Sequence, residues 1–328
     1  METPETHLVS DLNTQRKRKP SKMGMVNFTL DKDSQVKAIG AVYGIQHWIR
    51  EKQFQAEIFL DHYNQRLRLI SYEAQELFAL MAHMEYIAQR NNFDKIIHVT
   101  TAEKLSLLMD QGFEIEAKVE CFYDDKPAYF MAKFLHEKRR FSSLLSEEDA
   151  LLSKIDLEDR LKKPPRRSPI YFVRPAEHSD VQALLELYQK IFKTYPSPLI
   201  HRDYLESILQ KSSIFFVAQK KNSDSKEIVA AASAELIPGS NAAEMTDCAT
   251  LKMHRGNGLM VQILWLLERE LIRRGRTCAF TMARARSFGM NLAFHRLNYA
   301  YQGRSINNCD IHGSFEDMNY WSKDLREG

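Results

Sequence analysis

The sequence is poor in cysteine, and the few it has are unpaired. Cys121, Cys248, Cys278 and Cys309 are the only four in 328 residues. They form no C-x-x-C pair and no zinc-ligand spacing, so no structural metal and a reducing compartment are expected. No apolar segment opens the chain, and no apolar run reaches membrane-spanning length. The expectation is a cytoplasmic protein with no membrane partner. There is also little net charge: 46 Lys and Arg against 43 Asp and Glu leave +3. Most of the excess lies in two short runs, Arg16-Lys17-Arg18-Lys19 and Lys162-Lys163-Pro164-Pro165-Arg166-Arg167. A balanced body with basic linkers argues against nucleic acid as a partner.

What is present is enough for two domains. The length is about twice that of an average domain, and 44% hydrophobic residues can fill two cores. Residues 1–25 are polar and aperiodic and read as a disordered tail. Strands are expected at 56–61 and 66–72, a helix over 73–90, a strand at 95–100, a helix over 101–111, and strands at 114–123 and 128–134. Residues 141–169 read as a linker, with a helix over 146–161 followed by prolines. The second half, 170–328, restarts with a strand at 170–175 and helices over 181–192 and 202–210. Strands follow at 214–219, 228–237 and 245–253, then a helix over 259–274, a strand at 277–282, a helix over 288–297, and strands at 303–310 and 315–321. Such an order predicts an α/β (α+β) fold, a mixed sheet flanked by helices. Matching segments at 95–135 and 277–325 suggest a weak internal repeat, two copies of one fold.

The most informative stretch is Lys252-Met253-His254-Arg255-Gly256-Asn257-Gly258-Leu259-Met260, where a strand passes through two glycines into a helix. Glycine lets backbone N–H groups approach an anion closely, and the helix start adds unpaired donors and a positive dipole end. Arg255 can add a charge-assisted contact. No Lys-Ser/Thr follows the glycines, and no three-glycine fingerprint is present, which excludes P-loop and dinucleotide-binding readings.

This loop resembles the acyl-CoA pyrophosphate loop of GNAT-type N-acetyltransferases, and "GMNLAFHRLNYAYQGR" resembles that family's asparagine helix. More narrowly, "EMTDCATLKMHRGNGLM", "FTMARARSFGMN", "GRSINNCDIHGSFEDMNYWSK" and "AYFMAKFL" are similar to beta-lysine N6-acetyltransferases. The resemblance implies a GNAT catalytic domain over 170–328 and a degenerate GNAT-like domain over 26–140 that lacks the glycine loop. It implies acetyl-CoA as donor and a small-molecule amine, beta-lysine (3,6-diaminohexanoate), as acceptor. It further implies an osmolyte product and a metabolic link to lysine 2,3-aminomutase. Two departures stand out: Met260 replaces the family's last Gly/Ala, and Phe294 stands where many members place a thiolate-protonating tyrosine. The same fold acting on lysine, a polyamine or a protein lysine remains open, as does a non-catalytic acyl-CoA module.

Amine acetylation needs a neutral amine and a proton sink. By resemblance Glu244 is the first choice of base, sharing a strand face with Thr246, Cys248 and Thr250. Asp247 is second, on the opposite face if the strand is regular. Cys248 reads as a buried strand cysteine rather than a nucleophile. The thioester oxygen is expected on amides near Lys252 and Met253, and Asn291 resembles the asparagine that bonds the pantetheine arm. Tyr299, Tyr301, Tyr320 and His295 are candidates to protonate the thiolate. Arg284, Arg286 and Arg304 suit the acceptor carboxylate. Asn307, Asn308, Glu316 and Asp317 suit its second ammonium.

Overall fold

In a computed structural model, residues 25–39, 43–192, 195–221, 227–311 and 313–327 are described. The tail expected over 1–25, with its basic run, lies outside them except for Met25. The first half begins with a small two-stranded sheet, β1 (Met25–Thr29) and β2 (Gln35–Ile39). It continues through β3 (Ile45–Arg50), β4 (Phe54–Asp61), β5 (Arg66–Ala74), α1 (Leu77–Arg90), β6 (Lys95–Thr100), α2 (Ala102–Asp110), β7 (Glu114–Tyr123) and β8 (Lys126–Phe134). Two helices, α3 (Glu137–Arg140) and α4 (Leu145–Asp156), lead to the second half. That half contains β9 (Tyr171–Pro175), α5 (Val181–Ile191), α6 (Arg202–Lys211), β10 (Ser213–Lys220), β11 (Ile228–Leu236) and β12 (Ala242–Thr250). It ends with α7 (Leu259–Arg273), β13 (Cys278–Arg284), α8 (Phe288–Arg296), β14 (Ala300–Ile311) and β15 (Ser314–Asp324).

Thirteen strands form one mixed sheet in the order β3-β4-β5-β6-β8-β7-β14-β15-β13-β12-β11-β10-β9. The run β4-β5-β6-β8-β7 follows the same connections as β11-β12-β13-β15-β14. In each, an antiparallel hairpin is followed by a helix crossover to a parallel strand, and a second hairpin inserts its last strand. The runs meet at β7 and β14, which pair through Gly303 and Ala117. Only glycine fits that joint. Gly303 has φ +132°, and a Cβ there would lie 2.2 Å from Glu116 O and 2.8 Å from Ala117 Cα.

Polar groups seal the same seam. Arg66 Nη1 donates to Asn308 Oδ1 (2.7 Å), and Lys95 Nζ donates to Glu116 Oε1 (2.8 Å) and Ile306 O (2.9 Å). Burial on this scale requires such pairing, because an unpartnered charge away from water is costly.

The sequence reading places most elements and misses the first three strands, whose Lys, Gln and His residues dilute the alternation. It also starts α1 too early: β5 continues to Ala74, which pairs with Phe54, so cross-strand bonding overrides helix propensity at Glu73 and Ala74. The strand expected at 245–253 runs from Ala242 to Thr250, and a 3₁₀ turn occupies Lys252–His254. The linker helix stops at Asp156 rather than Leu161. Of the apolar face expected on α7, Ile263, Leu264, Leu267 and Leu271 are buried against the sheet as their spacing requires, Met260 is only half-buried, and Leu259 is buried with them. Among the described residues no helix is long and apolar enough to cross a membrane, and no cluster of His, Cys, Asp and Glu is arranged to hold a metal.

Candidate active site

β12 carries the two features that matter. At its end, Gly256 (φ +80°) and Gly258 (φ +69°) turn the chain into α7 with open space over both Cα atoms. The first intrahelical bond runs from Gln262 N to Gly258 O, so the amides of Leu259, Met260 and Val261 form the open end of the helix. Lys252, Met253, Arg255, Gly256, Asn257 and Gly258 are exposed, while the Leu259 side chain is buried in the core. Arg255 Nε bonds back to Thr250 O (3.2 Å), and Asn257 Nδ2 bonds to His254 O (3.1 Å), which fixes the loop. Exposed amides, a dipole end and a guanidinium are the donor set a pyrophosphate needs, so the loop fits coenzyme A.

Upstream, β12 faces a cavity of about 340 Å³. Its parallel pairing with β13 runs only from Ala242–Cys278 to Glu244–Phe280, and the strands part beyond that point. On the other side, β12 is bulged. Ala231 pairs with Ala249 and Ser233 with Thr246, so Asp247 and Cys248 together oppose Ala232. Asp247 takes φ +54° at this bulge. The expectation that Asp247 would face away from Glu244 is therefore corrected. A bulge turns its carboxylate onto the same cavity, where Ser233 Oγ donates to Oδ2 (2.7 Å) and Tyr195 OH to Oδ1 (3.4 Å).

Glu244 has no hydrogen-bond partner among the described residues, and it stands directly opposite Glu235 of β11. Burial pushes the Glu244 carboxyl up to about 8, with Glu235 and Asp247 adding to the shift. Burial likewise raises Asp247 to about 7, against the Ser233 hydrogen bond, which lowers it. Glu235 is raised by burial and lowered by Arg68. Cys248 also lines the cavity, but burial and then the two carboxylates push its thiol far up. It is a poor nucleophile, as the sequence reading held.

The far wall comes from the first half: Tyr43, Phe59, Asp61, Asn64, Arg66 and Arg68 line the same cavity. Glu235, Tyr195 and this wall were missed by sequence reasoning. Glu235 was within reach, since counting outward from the turn at Gly239 and Ser240 pairs 236 with 243 and 235 with 244. The wall had no local signal, because it depends on how the two halves join.

Several other expectations are corrected. Asn291 is fully buried and fully engaged. Its Nδ2 donates to Arg284 O (2.9 Å) and Ser287 O (2.8 Å), and its Oδ1 accepts from Trp321 Nε1 (2.8 Å) and Asn319 Nδ2 (3.0 Å). No capacity is left for a pantetheine arm. Tyr299, just before β14, is buried in the core against Phe294 and does not line the cavity. Tyr320 accepts from Ser305 Oγ (3.3 Å), Tyr301 packs on Trp321, and His295 Nε2 bonds Glu158 O (2.9 Å). None of these three lines the cavity either; Phe294 does.

Arg284 lines the cavity and is paired with Glu316 (2.7 Å). Glu316, Arg304, Asn307, Asn308 and Asp317 do not line it. Arg304 binds Asn319 (2.7 Å) and Asp149 (2.8 Å), Asn307 N donates to Asp317 Oδ1 (2.6 Å), and Asn308 receives Arg66. These residues lie on the central strands β14 and β15, where polar groups are consumed in holding the halves and α4 together.

The comparisons with known proteins agree with this architecture. The model of the Acetyltransferase (GNAT) family matches residues 181–297. N-acetyltransferase YodP of Bacillus subtilis is 34% identical over 269 residues, covering 81% of this chain and 95% of that protein. Beta-lysine N(6)-acetyltransferase of Methanococcus maripaludis is 31% identical, covering 74% of this chain and 87% of that protein. The enzyme of the same name from Methanosarcina mazei is 31% identical, covering 74% and 95%. A fold with an amide-rich loop at a helix start beside a carboxylate-lined strand splay is that of an acyltransferase. The chain belongs to the GNAT acetyltransferase family, and its acyl donor is acetyl-CoA.

The loop makes a direct prediction. Valine at Gly258 would force a β-branched residue into left-handed backbone, at a cost of roughly 1–2 kcal/mol, and would place methyl groups over the amides. Gly258→Val should weaken acetyl-CoA binding at least about tenfold in titration calorimetry. Undiminished affinity would mean that the donor binds elsewhere.

Proposed function

We propose that the enzyme transfers the acetyl group of acetyl-CoA to the N6 amine of beta-lysine. The observation that carries this reading is the cavity wall on which Glu235, Glu244 and Asp247 converge beside the strand splay. Three carboxylates gathered on one wall, Glu244 raised to about 8, Asp247 to about 7 and Glu235 raised from its ordinary value, suit an acceptor whose ammonium groups favour their ionised forms. The two relatives named beta-lysine N(6)-acetyltransferase support the same acceptor.

In this reading acetyl-CoA supplies the activated acyl group, and the chain supplies position and proton management. Amides of the 256–260 loop hold the pyrophosphate. Glu244, with no competing hydrogen bond, takes a proton from the acceptor ammonium, whose ordinary pKa is about 10.4. Asp247, held by Ser233 and Tyr195, keeps the amine in place. The product is then a zwitterion suited to a compatible-solute role in the cytoplasm, and a lysine 2,3-aminomutase reaction would furnish the acceptor; the sequence resemblance supports both.

The test is release of free CoA from acetyl-CoA with beta-lysine, α-lysine and spermidine offered in parallel. Beta-lysine should give the highest kcat/KM, with a single acetyl group at N6 by mass spectrometry. Equal or faster turnover of α-lysine or spermidine would overturn the acceptor assignment.

A further inference from the structure

Three features of the cavity wall lie outside the chemistry at Glu244 and Asp247. Arg68 of β5 lines it from the first half, yet has no hydrogen bond or ion pair among the described residues. Its nearest partner is the Phe59 ring, 5.8 Å from the guanidinium carbon. By contrast, Arg66 is committed to Asp61 (2.7 Å) and Asn308, and Arg284 to Glu316. Second, Glu235 and Glu244 are direct cross-strand neighbours of like charge, an arrangement that destabilises a sheet unless a cation lies between or over the pair. No lysine or arginine nitrogen is within ion-pair distance of either among the described residues; Arg68 acts on both only through its longer-range field. Third, Glu235 sits one strand farther from the β12–β13 splay than Glu244, an offset of about 4.8 Å.

We infer that Arg68 and Glu235 form a two-point anchor for the non-reacting end of the acceptor, Arg68 binding its carboxylate and Glu235 its second ammonium. This rests on the acceptor reading given above. The geometry orders the roles along one line. The reacting amine lies at the splay, beside Glu244 and Asp247. The spare ammonium lies one strand away over Glu235, relieving the like-charge pair. The carboxylate reaches across to the free guanidinium, whose planar fork matches it. The first half therefore supplies a specificity determinant, and an acceptor with only cationic groups leaves Arg68 unused.

The experiment compares three acceptors. Beta-lysine carries both anchoring groups, 6-aminohexanoate lacks the 3-amine, and 1,4-diaminopentane lacks the carboxylate. Arg68→Gln should reduce the kcat/KM preference for beta-lysine over 1,4-diaminopentane about tenfold or more, and leave its preference over 6-aminohexanoate in place. Glu235→Gln should do the reverse, collapsing the preference over 6-aminohexanoate. A tenfold change is about 1.4 kcal/mol, within the reach of one charged hydrogen bond. A change in the Glu244 ionisation would alter all three acceptors alike, so it cannot mimic the pattern. If each variant loses rate equally on every acceptor, or on none, the anchor is wrong while the acceptor reading stands. If the wild-type enzyme acetylates none of the three, both fall together.

Discussion

Glu244→Gln should lower kcat by about 10²- to 10⁴-fold, the usual contribution of a positioned general base, with acetyl-CoA affinity unchanged. The substitution keeps size and removes only the ability to accept a proton. The carboxylate has no structural hydrogen bond to lose, so folding should be unaffected. The pH dependence gives the sign. Burial holds Glu244 near 8 and Asp247 near 7, so both are protonated, and useless as bases, below that range. Wild-type kcat/KM should rise with pH across roughly 6 to 9, and the part of that rise due to Glu244 should vanish in the glutamine variant. Titrating carboxylates that sit together report as a pair, so the wild-type limb should show two apparent ionisations spread over that range. A profile and rate unchanged by the substitution would remove Glu244 from the chemistry.

Asn291→Ala should destabilise the fold by about 2–6 kcal/mol, with no specific effect on donor binding. Removing the amide orphans the buried Trp321 Nε1 and Asn319 Nδ2 donors, while the carbonyls of Arg284 and Ser287 keep backbone N–H partners. Each costs roughly 1–3 kcal/mol when left unsatisfied away from water. Against a typical total stability of about 5–15 kcal/mol, thermal or denaturant unfolding should shift strongly. A variant with native stability but weakened acetyl-CoA binding would restore the pantetheine role that the sequence resemblance suggested.

These two residues mark where a linear reading holds and where it fails. The strand position of Glu244 and the glycine loop were legible because strand alternation, a helix start and glycine each act over a few residues, while the choice of Glu244 as base came from the resemblance. Asp247 was placed on the wrong face because a bulge needs a residue in left-handed backbone, and nothing in T-D-C-A marks aspartate as that residue. Asn291 was read as a ligand because its true partners, Asn319 and Trp321, lie some thirty residues downstream on a strand it touches only after folding. Asn308 has the right chemistry for an ammonium, but Arg66 consumes it at the seam between the halves, and Asp317 lies away from the cavity, bonded to Asn307 N. The wall carrying Arg68 was not legible at all, since more than 150 residues separate it from Glu235 and only the joined sheet brings them together.

The glycine joint at 303 has a consequence for solubility. The continuous sheet has two free borders, β3 and β9, at its opposite extremes. Separating the halves between α4 and β9 would leave β7 and β14, which pair with each other only at Ala117 and Gly303, as two further borders open to any passing strand. Tight closure at that seam thus works as a quarantine, and neither half is suited to an independent life in a crowded cell.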